Sequence, residues 1–320
     1  MSDAAVLDWL LAGDPAIRWQ TLRDLLDAPE EQWRYERALV ETEGWGAELL
    51  QLQDDDGQWA GGAFLPKGFA WEQMQDEGQP WTATCWVLTD LQALGLPADS
   101  PCVQRTVELV GENSRWDHDG QPYWQGEVEE CINGRTVAQG AYLGVDITPI
   151  LELLLTQQMA DGGWNCESEM GSERSSFDST LNVLEGLLEY ERATGGTEES
   201  RTARQAGEEY LLQRRLLYRA STGEIVDEDY LKFSFPSRGR YDLLRALDYF
   251  RDAGAFTHEL PDSRLADGIG RLQGSRQPDG SWHVGKTYRG RSWFPMAPGE
   301  WEPSQWITLK ALRVLKWWSG

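Results

Sequence analysis

Cys131, Cys166 and His283 are the residues in this chain best suited to metal chemistry. Two thiolates and one imidazole make a sound ligand set for Zn²⁺ with one position left open. Their spacing is long, and nothing in the sequence resembles a CxxC or HExxH cluster, so they can act together only if the fold gathers them. A second set is acidic: Glu127, Glu129, Glu130, Asp178 and Asp242 could supply the two carboxylates that sugar chemistry uses across a tryptophan-lined cleft. A third is aromatic, drawn from 17 tryptophans, ten tyrosines and eight phenylalanines. Ring faces stabilise positive charge without offering a nucleophile. The candidates for a binding role are Trp81, Trp86, Tyr142, Phe177, Tyr241 and Trp306, together with Asp242, although most aromatic residues in a chain this rich must serve packing. No Gly-rich phosphate loop, Ser-His-Asp order or nicotinamide fingerprint occurs.

What could position such scattered residues is an internal repeat, a glutamine and short spacer followed by Asp-Gly-x-Trp. It reads QLQDDDGQW ending at Trp59, QQMADGGW ending at Trp164 and SRQPDGSW ending at Trp282, with degenerate copies around Trp116 and Gly223. Amphipathic stretches at residues 37–53, 149–159, 200–217 and 262–273 run up to these turns and predict helices stopped by Asp-Gly. After the turns come segments with broader apolar faces, beginning near Ile17, Pro80, Cys131, Ser175, Arg240 and Pro303. In the fourth, Phe177, Leu181, Leu184 and Leu188 keep helical spacing while Val183 and Leu187 widen the stripe, as expected of a helix buried on two sides. One such hairpin cannot cover its own apolar face, and about six can close into a ring. The expected fold is an all-α, α/α toroid over residues 1–320 as one domain. The turns and inner-helix starts then share one rim around a central cavity.

The repeated Q-x-x-D-G-x-W resembles the motif of squalene and related terpenoid cyclases, whose toroid is shared with protein prenyltransferase β subunits. That resemblance implies an apolar isoprenoid ligand in the cavity. It also gives roles to single residues. SSFDSTLNVLEGL resembles the acid-bearing inner helix of the cyclases and makes Asp178 the candidate catalytic acid, although one carboxylate stands where the cyclases carry several. Glu129-x-Cys131 followed by Asp178 partly matches the zinc ligands of prenyltransferases. The repeat tryptophans are expected to be structural, with Asp and Gly making the turn and the indole packing over it. A toroid that binds a ligand or partner without catalysis is the alternative, as is a zinc-dependent transferase.

Fifty-three acidic residues against 29 basic ones give a net charge of −24, which repels nucleic acid and anionic membranes. Five lysines against 24 arginines add to a surface suited to concentrated salt. No apolar run is long enough to cross a bilayer, and MSDAAVLDWLLAGDP lacks a basic leader, so a cytoplasmic location is expected. The four cysteines are too few and too dispersed for a disulfide framework, and small buried fillers is their expected role.

Overall fold

Serine or aspartate at a helix start and glycine at its end recur along this chain, and they mark an inner ring. The structure, a computed structural model, describes residues 3–320. Its inner helices are Pro15–Gln20, continued by a π-helical turn over Thr21–Leu25, then Thr84–Leu94, Glu130–Leu143, Phe177–Thr194, Leu243–Thr257 and Gln305–Ser319. Asp14, Ser176, Asp242 and Ser304 accept backbone N–H groups in the first turns of the first, fourth, fifth and sixth. Gly95, Gly144 and Gly195 end the second, third and fourth in left-handed conformation. An outer helix precedes each inner one: Asp3–Leu11, Gly44–Gln51, Pro101–Asn113, Thr148–Thr156, Glu198–Gln213 and Ala266–Gly274. Among the described residues, β-structure is limited to isolated bridges.

Three repeat turns are bolted in the same way. The indole N–H groups of Trp59, Trp164 and Trp282 donate to Leu49 O, Leu154 O and Leu272 O at 2.7, 2.8 and 2.8 Å, tying each turn to the outer helix behind it. The backbone N–H groups of the same tryptophans donate to Thr84, Thr180 and Thr308 Oγ1, tying the turn to the inner helix ahead. All three indoles are fully buried. Gln53 and Gln158 brace their turns by donating to Gly57 O and Gly162 O at 2.9 and 2.7 Å. In the third copy Arg276 stands at that position, and its Nε donates to Gly280 O at 3.0 Å.

Side-chain bonds run right round the ring. Trp19 Nε1 donates to Leu94 O, Gln139 Nε2 donates to Cys85 O, Arg245 Nε donates to Glu185 Oε1, and Arg313 Nη1 donates to Gln20 Oε1. The third and fourth inner helices meet backbone to backbone: a Cβ on Gly186 would lie 2.3 Å from Gly134 O. Closure joins the chain's ends, where Lys316 Nζ donates to Asp24 O and Asp27 Oδ2 and Arg276 pairs with Asp3. The expected α/α toroid is therefore present. One outer element differs from the sequence reading, since residues 37–53 do not form a single helix. Glu30–Ala38 stops, and Gly44–Gln51 starts afresh behind Gly44, whose φ is 65°. The break is fixed by Asp14 Oδ2, which accepts Trp45 N–H and leaves no room at Gly44 for a Cβ.

Candidate functional site

The rim gathers some of the sequence candidates and separates others. Cys131 lies in the first turn of the third inner helix, and its N–H donates to Cys166 Sγ at 3.2 Å. Ser179 Oγ–H donates to the same sulfur at 3.2 Å, and Cys131 Sγ–H reaches Glu129 Oε2 at 3.5 Å. Hydrogen bonding from Cys131 holds the Cys166 thiol below its usual range against the opposing effect of burial, and the same pairing pushes Cys131 up. Among the described residues, Glu129, Cys131 and Cys166 are the one group of three with metal-ligand atoms within 4.8 Å of each other. His283 is outside it, on a turn bridged to Pro303, with its Nε2 buried and without a hydrogen-bond partner. The expected Cys131, Cys166 and His283 zinc set is thus not assembled. Nor are the cysteines uniformly buried fillers: Cys85 is buried, Cys131 and Cys166 are half-buried, and Cys102 is exposed.

Asp178 occupies the first turn of the fourth inner helix, where Ser176 rather than Asp178 is the cap. Its oxygens accept Tyr241 N–H at 2.9 Å and Tyr230 O–H at 3.3 Å. Phe177 and Tyr241 pack edge to face in the same cluster, with ring centroids 5.1 Å apart. Asp242 caps the fifth inner helix through Arg245 N–H and accepts Ser234 as well. Burial raises its pKa. Tyr142 lies toward the far rim, donating to Leu96 O and accepting from Arg37.

Inside the ring is a cavity of about 230 Å³. Trp86 and Trp306 line it, whereas Trp81 lines a separate rim cleft with Tyr288. Residues 235–239 lie between the two spaces: Phe235, Pro236 and Arg238 border both. The segment is held by Phe235 stacked on Trp306 at 4.1 Å, by Arg238 donating to Asp90 at 2.8 Å and by Gly239 O accepting from Asn182.

The cavity wall is charged. Arg135, Arg192, Arg238, Arg245, Lys310 and Arg313 face Asp90, Glu185, Glu189, Asp248 and Asp252, one positive charge in excess within a chain of net charge −24. Most of these are paired. Arg238 meets Asp90 at 2.8 Å, Arg245 meets Glu185 at 2.5 Å, and Arg313 binds Asp248 and Asp24. Burial opposes the charge of Asp248, but Arg313, Lys310 and Arg251 outweigh it and hold that carboxyl well below its usual range. At Asp90 burial wins over Arg238 and raises the pKa.

Arg135 is the exception. It is 7% exposed, its guanidinium lies 4.5 Å from the Trp86 ring centroid, and no carboxylate among the described residues is within 4.0 Å of it. Its polar contacts are long, 3.5 Å to Asn182 Oδ1 and 3.8 Å to Cys85 Sγ. Where the segment passes the guanidinium, Gly239 has a φ of 73°, the left-handed region that favours glycine. The sequence reading passed over Arg135, Asp90 and Glu185 as ligand contacts. A signal was present: Asp90, Arg135, Glu185 and Arg313 are charges set about one to two turns inside inner helices.

No protein-family pattern matches the sequence, and no curated protein matches it. Solved structures do match. One is a polysaccharide lyase, with a TM-score of 0.50 and 12% identity over 98% of this chain and 96% of that one. At that identity the likeness is one of fold, and it spans nearly the whole of both chains: this chain is an all-α toroid similar in architecture to that lyase.

Proposed function

We propose that this toroid binds a small, negatively charged polar molecule in its central cavity, with Arg135 as the anchor. The observation that carries the reading is a guanidinium buried in the wall with no carboxylate partner. Asp90, in contact with Arg238, acts on Arg135 only from a distance, and an incoming oxyanion would give the guanidinium a contact partner through the two-pronged hydrogen bonding that arginine offers. The size of the cavity, about 230 Å³, supports a ligand of few atoms, since pockets for drug-sized ligands run roughly 300–1,000 Å³. One solved neighbour is a polysaccharide lyase. A sugar acid carries both a carboxylate for Arg135 and hydroxyls for Asp90 and Glu185, which line the cavity.

The isoprenoid implied by the cyclase resemblance is less well supported. An apolar chain in this cavity would strip water from charged groups and give nothing back in hydrogen bonds. Asp178, the acid that reading needs, is engaged by Tyr241 and Tyr230 on the rim. Thermal melts with glucuronate, glucose 6-phosphate, glucose and geranylgeraniol test the proposal. Either anion should raise Tm in the wild-type protein, glucose should not, and Arg135→Met should lose the shift while remaining folded. A shift with geranylgeraniol alone would return the isoprenoid reading to first place.

A further inference from the structure

Cys131 and Cys166 are 35 residues apart in sequence and meet at the rim, with Cys131 one turn ahead of Arg135 on the same helix. Two donors converge on Cys166 Sγ, the Cys131 N–H and the Ser179 O–H, both at 3.2 Å. The first belongs to the opening turn of a 14-residue helix, Glu130–Leu143, whose N-terminal N–H groups and dipole favour negative charge. The second sulfur lies within 4.8 Å of the first. A disulfide needs that gap to close to about 2.05 Å, which rotation of two half-buried side chains on opposing loops and helix ends can supply. Cys102 has none of this. It is the exposed cysteine, yet no donor serves its sulfur, and burial together with Glu41 pushes its thiol up.

We propose that Cys166 and Cys131 form a peroxide-reactive dithiol, with Cys166 as the attacking thiolate and Cys131 as the resolving thiol. Cys166 Sγ attacks one oxygen of a hydroperoxide, the O–O bond breaks, and the departing oxygen leaves protonated as water from hydrogen peroxide or as an alcohol from an organic peroxide. Cys166 becomes a sulfenic acid. Cys131 Sγ then attacks the Cys166 sulfur, the S–O bond breaks, and hydroxide leaves with the Cys131 proton as water. Two thiols are oxidised by two electrons in all, and one peroxide is reduced. The product covalently joins the loop after the second repeat turn to the head of the third inner helix.

The test is to treat the full-length protein with hydrogen peroxide, alkylate the remaining thiols and map peptides without reduction. The expected result is a linked Cys131–Cys166 peptide lacking two hydrogens, formed while Cys102 still alkylates. Cys131→Ser should instead leave Cys166 as a sulfenic acid that dimedone traps, and Cys166→Ser should abolish both products, with melts confirming that each variant is folded. Oxidation of Cys102 ahead of Cys166 would overturn the proposal. So would thiols that stay unreactive in the purified protein until a chelator releases zinc, which would make the pair metal ligands.

Discussion

Both carboxylate oxygens of Asp178 are engaged by chain that arrives from beyond its own helix, one by Tyr241 N–H and the other by Tyr230 O–H. The residue thus latches the fourth inner helix to the segment that leads into the fifth. Replacement Asp178→Asn keeps an acceptor for Tyr241 and gives up the charge, and a hydrogen bond to a charged acceptor exceeds a neutral one by about 1 kcal/mol. A loss of about that size in urea melts, with anion binding intact, is the expected outcome. Lost binding at unchanged stability would place Asp178 in the site instead. Position was legible here because Ser176-Phe177-Asp178 reads as a helix start; role was not, because the partners Tyr230 and Tyr241 lie more than 50 residues away. Arg135 was hidden for a different reason. Its place one turn inside the third inner helix is legible, but its lack of a carboxylate at contact distance depends on how the third and fourth inner helices meet at Gly134 and Gly186, which no local pattern records.

At the scale of elements, the repeat turn was the readable unit. Its tryptophans hold the outer helix and its threonine partners hold the inner one, so the motif works as a bracket and its indoles are absent from the cavity wall. The third bracket carries its own control. Arg276 does there what Gln53 and Gln158 do in the others, so Arg276→Gln should retain the bond to Gly280 O and lose little beyond an exposed ion pair with Asp3, worth under about 1 kcal/mol. Arg276→Ala, which removes the brace altogether, should cost more. Equal losses in chemical melts would show that the brace contributes nothing. Outer-helix boundaries were less legible than the turns, and the break at Gly44 shows why. It depends on Asp14, a residue about thirty positions earlier that caps one helix and accepts from the start of another. No local pattern within residues 37–53 records that contact.

For the whole molecule, closing the ring brings Asp248 and Arg313 together with Asp24, residues from the fifth, sixth and first inner helices. The depressed pKa of Asp248 fixes a direction for acid sensitivity. Below the ordinary 3.8, the unfolded chain takes up a proton at this residue that the folded chain refuses, so its contribution is full above that pH and fades as the pH falls toward the folded value. Asp90, whose pKa is raised by burial, works the other way and gains as the pH falls through its folded value. Near neutral pH, Asp248→Asn leaves Arg313 and Lys310 short of a counter-charge and should cost roughly 3–5 kcal/mol. Below about pH 4 the difference from wild type should shrink, as followed by urea melts across pH. A constant difference at every pH would mean that packing, not charge, is what Asp248 provides.

The central claim is that the cavity holds an anion against Arg135, and a crystal structure of the protein grown with glucuronate addresses it most directly. The account predicts density inside the ring, with the carboxylate within hydrogen-bonding distance of the Arg135 guanidinium and residues 235–239 closed over it. Density confined to the rim cleft beside Trp81 and Tyr288, with the space around Arg135 unchanged, would contradict it.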